Sequence, residues 1–225
     1  MEILIRDLEI KLSHDDILRG QGVEPHRATK RMVSDAKEIL ISYADILKPA
    51  AIYNYFNIKL ERDNAIIVND VALEGPLLKC FTGKAKIVFI AFCTIGADLE
   101  NEVKVLMADK PAKALALEGL AISAVGNVAK FVEELINNDA ATLGYPPGIR
   151  VQPGQEGWPL EEQKKLINLV RVNKIGITLS SSCLMTPHKS LSFMIATGPG
   201  FEKNPIPCSD CPKNDSCNWK LLMDN

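Results

Sequence analysis

The chain has 225 residues, of which 47% are hydrophobic and 24% are charged, and its formal net charge is -2. This composition is typical of a folded protein with its own buried core, in one large domain or two small ones. The near-neutral charge and the lack of a long basic block argue against a nucleic-acid partner, because phosphate-backbone binding requires clustered Lys and Arg.

No membrane span or secretion signal is expected. The longest apolar run covers residues 87–96, about half of the roughly 20 residues that a bilayer span needs. Acidic Glu2 and Asp7 lie where a signal peptide carries bases. We therefore expect a cytoplasmic protein without a membrane partner, whose six cysteines are thiols or metal ligands rather than disulfides.

The N-terminal segment predicts one strand and one helix. Apolar residues alternate through Leu8, Ile10 and Leu12, which indicates an early strand. Apolar residues then recur every three or four positions over residues 25–47, and Pro49 follows. This pattern is typical of an amphipathic helix.

Three strand-like runs come next. Residues 51–60 and 65–71 are separated by Glu61-Arg62-Asp63-Asn64, whose acidic and amide side chains suit a hairpin turn. Residues 85–93 are apolar almost throughout and rich in Ile, Val and Phe. The third run therefore predicts a strand buried on both faces in the middle of a sheet.

Two helices are predicted after this strand. The first ends near residue 107, and Asp109 is the expected N-cap of the second, which carries an early Pro111 and runs to about residue 137. Small residues in the second helix predict close backbone packing against a neighbour. They are Ala114, Ala116, Gly119, Ala121, Ser123, Ala124 and Gly126.

The last third begins with residues 144–159, which are rich in Gly and Pro and are predicted to form a loop. A short helix over 160–170 and strands over 174–179 and 191–197 follow. We expect one domain over residues 1–200 and a cysteine-rich, metal-binding tail over residues 201–225.

Two polar segments carry a family pattern. Residues 148–160 read Gly-Ile-Arg-Val-Gln-Pro-Gly-Gln-Glu-Gly-Trp-Pro-Leu, and residues 179–192 read Leu-Ser-Ser-Ser-Cys-Leu-Met-Thr-Pro-His-Lys-Ser-Leu-Ser. Together they resemble the reactivation domain of cobalamin-dependent methionine synthase, especially its stand-alone members. The residues in register with the family pattern are Arg150, Pro153, Gly154, Leu179, Ser182, Met185, Pro187, Ser190 and Ser192.

The resemblance implies a fold and a ligand. The fold is α+β, a curved and mainly antiparallel sheet with flanking helices, which the order of predicted elements allows. The ligand is S-adenosylmethionine, with its carboxylate on Arg150 and its other polar groups on the loop backbone. The candidate cofactor-binding residues are Arg150, Val151, Pro153, Gly154, Gln155, Glu156, Trp158, Ser181 and Ser182.

The chain departs from the family pattern at two positions. Gln155 replaces the motif tyrosine and Ser181 replaces the motif glutamate, so either Glu156 substitutes for the lost acid or affinity for the ligand is weakened. Trp158 either supplies aromatic surface or anchors packing. An alternative for Arg150 is that it pairs with an acid of the chain itself.

The tail contains a C-x2-C-x5-C motif formed by Cys208, Cys211 and Cys217. Three thiolates at this spacing suit a [4Fe-4S] cluster or zinc, both of which commonly take four ligands. The fourth ligand is Cys183, another chain, a solvent molecule or absent, and free thiols or a disulfide are the remaining alternative.

By resemblance, the protein reactivates a corrinoid-dependent methyltransferase. The cobalamin is bound mainly by this partner. The electron donor is of flavodoxin or ferredoxin type. Two other functions are open: a non-catalytic module that docks on a corrinoid protein, and an iron-sulfur electron-transfer protein. Whether the chain acts as an enzyme or only as an accessory to one is also open.

Overall fold

A computed structural model describes residues 2–6, 8–62, 64–81, 84–146 and 148–201, and over these ranges the chain forms nine β-strands and five α-helices. The strands are β1 (Ile3–Arg6), β2 (Ala50–Arg62), β3 (Ala65–Val68), β4 (Val71–Glu74), β5 (Ile87–Thr94), β6 (Ile149–Val151), β7 (Thr178–Leu179), β8 (Met185–Thr186) and β9 (Ser190–Thr197). The helices are α1 (His14–Gly20), α2 (Lys30–Tyr43), α3 (Asp98–Asp109), α4 (Pro111–Thr142) and α5 (Gln163–Ile167).

The main sheet has the strand order β4-β3-β2-β5-β9-β6, and β1 pairs with the first part of β2. Every pairing is antiparallel, and β7 and β8 form a separate hairpin. The register of β2 against β3 shifts between Ile58 and Leu60, and such irregularities bend a strand. The predicted α+β class with a mainly antiparallel sheet is confirmed.

Strand β5 is the centre of the sheet, as its apolar sequence predicts. All eight of its residues are buried, and it pairs along its full length with β2 and β9. Phe89, Ala91 and Cys93 face one core cluster, whereas Val88 and Phe92 belong to the cluster on the opposite face. Burial on both faces explains why the run shows no alternation of polar residues.

Helices α1–α4 pack on one face of the sheet and form the first core cluster with it. Close packing of α4 is achieved by small residues: a Cβ on Gly119 would lie 2.4 Å from the carbonyl oxygen of Ile17, and one on Gly20 would lie 2.2 Å from that of Gly119. The backbones of α1 and α4 therefore touch. The predicted role of the small residues is confirmed at Gly119, whereas Gly126 faces open space.

Helix α4 is also long and apolar enough, by length and composition alone, to cross a membrane. More than half of its most apolar 18-residue window is buried within the protein, where α4 contacts α1, α2, α3, β5 and β9. This packing is that of a core helix. Polar residues such as Glu118 and Asn127 interrupt the apolar sequence of α4, so the helix contains no long unbroken apolar run.

The second core cluster, on the other face of the sheet, is covered by short elements. Trp158, Leu166 from α5, and Ile177 pack there against Phe92 and Met194. Loops, turns and short elements cover this face, so a groove can form on it beside the edge of the main sheet.

Several predicted boundaries are wrong. The early strand is Ile3–Arg6, and residues 8–12 lie outside it although their apolar side chains pack against the core. Helix α1 was not predicted, despite the capping box that Ser13 and Asp16 form at its start. Asp109 is the last residue of α3, and Lys110 is the N-cap of α4, with no side-chain capping bond.

Three further strands, β4, β6 and β8, have no counterpart in the sequence prediction. The predicted strand over 65–71 is the hairpin β3-β4, turned at Asn69 and Asp70, which both have positive φ. Residues 144–159, predicted to be a loop, contain the short strand β6 on the edge of the sheet. The predicted strand over 174–179 consists of a 3-10 turn, Val172–Ile175, followed by β7.

Candidate functional site

A pocket of about 240 Å³ lies at the edge of the sheet. Strand β6 pairs only with the stretch of β9 from Met194 to Ala196, so within the described residues the first half of β9 has no strand on that side. The loop after β6 and the β7-β8 hairpin border this gap. The pocket is lined by Gln152, Pro153, Leu160, Gln163, Cys183, Leu184, Met185, His188, Ser190, Leu191 and Ser192.

The loop after β6 is closed by its own hydrogen bonds. The N–H of Gly154 donates to the carbonyl of Trp158 at 2.8 Å, and the N–H of Gln155 donates to that of Gln152 at 3.1 Å. The side-chain Oε1 of Gln155 in turn accepts from the N–H of Gln152 at 2.8 Å. These N–H groups are therefore engaged within the loop, whereas the sequence pattern predicts that they face a ligand.

The candidate residues of this loop lie in different environments. Pro153 lines the pocket, and Val151 is buried in the core. Gly154, with φ of +90°, Gln155 and Glu156 are exposed. Only the proline and its neighbour Gln152 are thus part of the pocket wall in this loop.

Trp158 is fully buried, and its indole Nε1 has no hydrogen-bond partner among the described residues. A Cβ on Gly75 would lie 2.8 Å from Trp158 Cδ1, so the ring packs directly on that glycine. Since the ring has no exposed surface, its burial favours the packing-anchor role over ligand contact.

Arg150 extends from β6 to the helix-covered face of the sheet. It pairs across the ladder with Ile195, whose side chain belongs to that face. Its Nη1 donates to Glu133 Oε2 of α4 at 3.0 Å, and its Cζ lies 4.4 Å from the ring centroid of Phe193. The alternative of pairing with an acid of the chain itself is therefore realised, although the buried Nε lacks a hydrogen-bond partner within the described ranges.

The serine-rich segment forms the tip of the β7-β8 hairpin. Ser180 Oγ accepts from the N–H of Leu184 at 3.0 Å and lies 2.9 Å from Ser182 Oγ, while Cys183 turns the chain with φ of +66°. Ser181 and Ser182 are exposed and lie outside the pocket lining. Of this tip, Cys183 and Leu184 reach the pocket.

The buried wall of the pocket is a hydrogen-bonded network that the sequence did not reveal. Gln163 Nε2 donates to the carbonyl of Cys183 at 2.9 Å, and Gln163 Oε1 accepts from Ser192 Oγ at 2.7 Å. Both side chains are nearly inaccessible, with 3% and 4% exposure of the two residues. The register of Ser192 with the family pattern was a signal for this wall, whereas nothing in the sequence singled out Gln163.

Ser190 is the second buried hydroxyl of the pocket. Its Oγ lies 2.7 Å from the carbonyl oxygen of Pro187 and 3.0 Å from Thr94 Oγ1. The described lining residues include no carboxylate and no Lys or Arg, and the exposed His188 lies at the rim. The pocket therefore offers hydroxyl and amide groups rather than fixed charge.

The predicted metal ligands are only partly within the described part of the chain. Cys208, Cys211 and Cys217 lie outside it. Cys183 is a free thiol with 3% exposure, and no group of three or more His, Cys, Asp or Glu residues that could hold a metal occurs in the described ranges. Cys93 is also free and buried in the core, and burial raises the pKa of its thiol to about 12 although nearby Arg150 acts in the opposite direction.

Comparison with known proteins finds a solved structure with a similar fold. No protein-family model and no curated protein matches the chain. Among solved structures, it is similar to the crystal structure of the MetH reactivation domain bound to AdoHcy, with a TM-score of 0.64. The match covers 100% of this chain and 88% of that chain at 14% sequence identity. At this identity the likeness establishes a shared fold, a curled antiparallel sheet with flanking helices.

Proposed function

We propose that the protein is a stand-alone reactivation protein that binds S-adenosylmethionine and docks on a corrinoid-dependent methyltransferase. The observation that carries the proposal is the full-length similarity to a reactivation domain whose structure contains AdoHcy. The family pattern that includes Arg150 and Ser192 supports it independently, since both residues lie at the same edge of the sheet, on β6 and β9.

The ligand would lie along this edge, with contacts on both faces. On the helix face, Arg150 would hold the carboxylate, because its planar guanidinium is a donor suited to carboxylates and its side chain keeps 22% exposure. On the opposite face, the pocket beside Pro153 would hold another part of the ligand. The remaining proposed contacts come from the exposed loop and hairpin tip, namely Gly154, Gln155, Glu156, Ser181 and Ser182.

The chemistry of the proposal is divided between proteins. S-adenosylmethionine would supply the methyl group, and the partner would hold the corrinoid. A flavodoxin- or ferredoxin-type protein would supply the electron, and the cytoplasm is the proposed location of these partners. The part of this chain is to bind the methyl donor and to present it at the edge of the sheet.

Calorimetric titration with S-adenosylmethionine tests the proposal directly. We expect saturable binding by the wild-type protein and a loss of about tenfold or more in affinity for Arg150→Ala, since a hydrogen bond to a charged group contributes about 1.5–3 kcal/mol. Thermal unfolding of the variant distinguishes lost binding from lost folding. A folded wild-type protein that does not bind would contradict the proposed role.

A non-catalytic docking module is the second candidate, and three hydrogen bonds favour it. Glu133 already occupies one nitrogen of Arg150, and the loop N–H groups of Gln152 and Gly154 are satisfied internally. This candidate predicts co-elution with a corrinoid protein that is unaffected by Arg150→Ala and by added S-adenosylmethionine. Dependence of the complex on either would contradict it.

The cysteine tail supports a third, separate proposal, that of an iron-sulfur electron-transfer protein. It rests on the spacing of Cys208, Cys211 and Cys217, which suits a soft metal or a cluster. Removal of residues 202–225 would then abolish electron transfer to the corrinoid partner and leave binding of S-adenosylmethionine unchanged. Full activity of the truncated protein would contradict this role.

A further inference from the structure

The polarity of the pocket wall is fixed by a backbone carbonyl. The carbonyl of Cys183 can only accept, so the group of Gln163 that lies 2.9 Å from it must be the Nε2 amide. The opposite side of the Gln163 amide is therefore Oε1, which also can only accept. Ser192 must donate its single hydroxyl proton to this oxygen across 2.7 Å, and its remaining lone pairs are left for the pocket.

The same argument from an obligate acceptor applies to Ser190. Its Oγ lies 2.7 Å from the carbonyl oxygen of Pro187, an obligate acceptor, so the Ser190 proton is used there. Thr94 Oγ1, at 3.0 Å, is a second protein acceptor for the same proton, and Thr94 itself donates to the carbonyl of Lys189 at 3.4 Å. Both buried serines of the pocket therefore donate their hydroxyl protons to groups of the protein rather than to a ligand.

A wall of this kind selects ligands by hydrogen-bond polarity. Hydroxyl oxygens that can only accept repel a carboxylate or phosphate oxygen and pair with an N–H donor. Because Ser192 is 4% exposed, a ligand that brings no donor leaves a desolvated acceptor unpaired, which is costly.

We propose that the pocket recognises an amino group of its ligand through Ser192 Oγ, and that Gln163 is a positioning residue which makes this oxygen an acceptor. The inference rests on the proposed function and deepens it: for an S-adenosyl ligand, the recognised group is the purine amine or the α-ammonium. Recognition of an amino group also explains why the pocket lining needs no positive charge.

The test is calorimetric titration with three ligands. AdoHcy carries both amino groups, S-inosylhomocysteine carries an oxo group in place of the purine amine, and 5′-methylthioadenosine lacks the α-ammonium. Ser192→Ala should weaken AdoHcy binding about 3- to 10-fold, the range of one hydrogen bond. If the purine amine is recognised, the substitution should not weaken binding of S-inosylhomocysteine but should still weaken binding of 5′-methylthioadenosine. If the α-ammonium is recognised, the two ligands should behave the other way round.

A second variant keeps the hydroxyl and changes only its polarity. In Gln163→Met, the Ser192 proton is released and can point into the pocket. If the purine amine is recognised, the preference for AdoHcy over S-inosylhomocysteine should fall at least threefold; if the α-ammonium is recognised, the preference over 5′-methylthioadenosine should fall likewise. A purely structural role of Gln163 would weaken all three ligands alike and leave both ratios unchanged, which overturns the positioning role.

The outcomes separate this inference from the function on which it rests. Binding of AdoHcy that is weakened by Arg150→Ala but unchanged by Ser192→Ala leaves the function intact and overturns the inference. An equal penalty of Ser192→Ala for all three ligands also overturns it. Failure of the folded wild-type protein to bind AdoHcy overturns both.

Discussion

Glu133 and Arg150 are joined by a 3.0 Å hydrogen bond between helix α4 and the edge strand β6. The guanidinium that forms it lies over the ring of Phe193 and is about four-fifths buried. A ligand carboxylate that approaches Arg150 would therefore meet a cation that is already paired with Glu133.

Glu133→Gln should tighten binding of S-adenosylmethionine by about two- to fivefold. The substitution removes the competing carboxylate, so the ligand faces the full charge of Arg150, and partly exposed ion pairs of this kind contribute on the order of 1 kcal/mol. Glu134→Gln is the matched control, since it makes the same charge change on a neighbouring residue of the same helix. Weaker binding by Glu133→Gln alone would show that Glu133 orients Arg150 or contacts the ligand.

The N terminus is held to the loop after α5 by one nearly buried carboxylate. Glu2 accepts hydrogen bonds from the backbone N–H and the Nε of Arg171 at 2.9 Å and from Lys174 Nζ at 2.8 Å. Burial alone would raise the pKa of Glu2, but these hydrogen bonds outweigh it and lower that pKa from 4.5 to about 2. Because the folded-state pKa is depressed, the stabilisation is present above pH 4.5 and is lost as the pH falls towards about 2.

Glu2→Gln should lower the free energy of unfolding at pH 7 by about 1.5–3 kcal/mol, the range of hydrogen bonds to a charged group. Denaturant unfolding at several pH values should show the difference from wild type shrinking between pH 4.5 and about 2. Glu9→Gln, at an exposed position, should change stability by less than about 0.5 kcal/mol. A difference that stays constant over this pH range would contradict the assigned pKa.

Local patterns predicted the elements whose burial is complete. The apolar run of β5 and the buried small residues of α4 are such cases. Consecutive apolar residues indicate burial in β5, and helically spaced small residues indicate it in α4. The capping box at Ser13 and Asp16 and the turn at Asn69 and Asp70 are also local signals, and they mark the start of α1 and the β3-β4 hairpin.

The pocket could not be predicted in the same way. The face on which Arg150 lies depends on the pairing of β6 with β9, which joins residues 150 and 195. The partner of Gln163 is Ser192, 29 residues away, and neither residue type indicates the contact. Sequence could identify the segments that meet at this edge, but the polarity of the wall depends on long-range hydrogen bonds.

The cysteine tail should bind metal through Cys208, Cys211 and Cys217. Metal analysis and absorption spectra of anaerobically purified protein should show bound iron or zinc, and a serine at any of the three positions should remove most of it. Cys183→Ser should retain the metal, because Cys183 is 3% exposed and lies in the pocket wall. Loss of metal in Cys183→Ser would instead make it the fourth ligand, an alternative that the sequence left open.

Two glycines of α4 should respond to alanine with opposite signs. Gly119 touches the backbone of α1, where a Cβ would lie 2.4 Å from the carbonyl oxygen of Ile17 and 2.8 Å from Gln21 Cγ. Gly119→Ala should therefore force the helices apart and destabilise the protein by about 1–3 kcal/mol, as overpacking does. A Cβ on Gly126 would meet no atom of another element within 4 Å, so Gly126→Ala should stabilise the protein by about 0.5–1 kcal/mol through helix propensity. Chemical denaturation of both variants measures the two changes, and a neutral Gly119→Ala would show that α1 does not pack against α4 as closely as described.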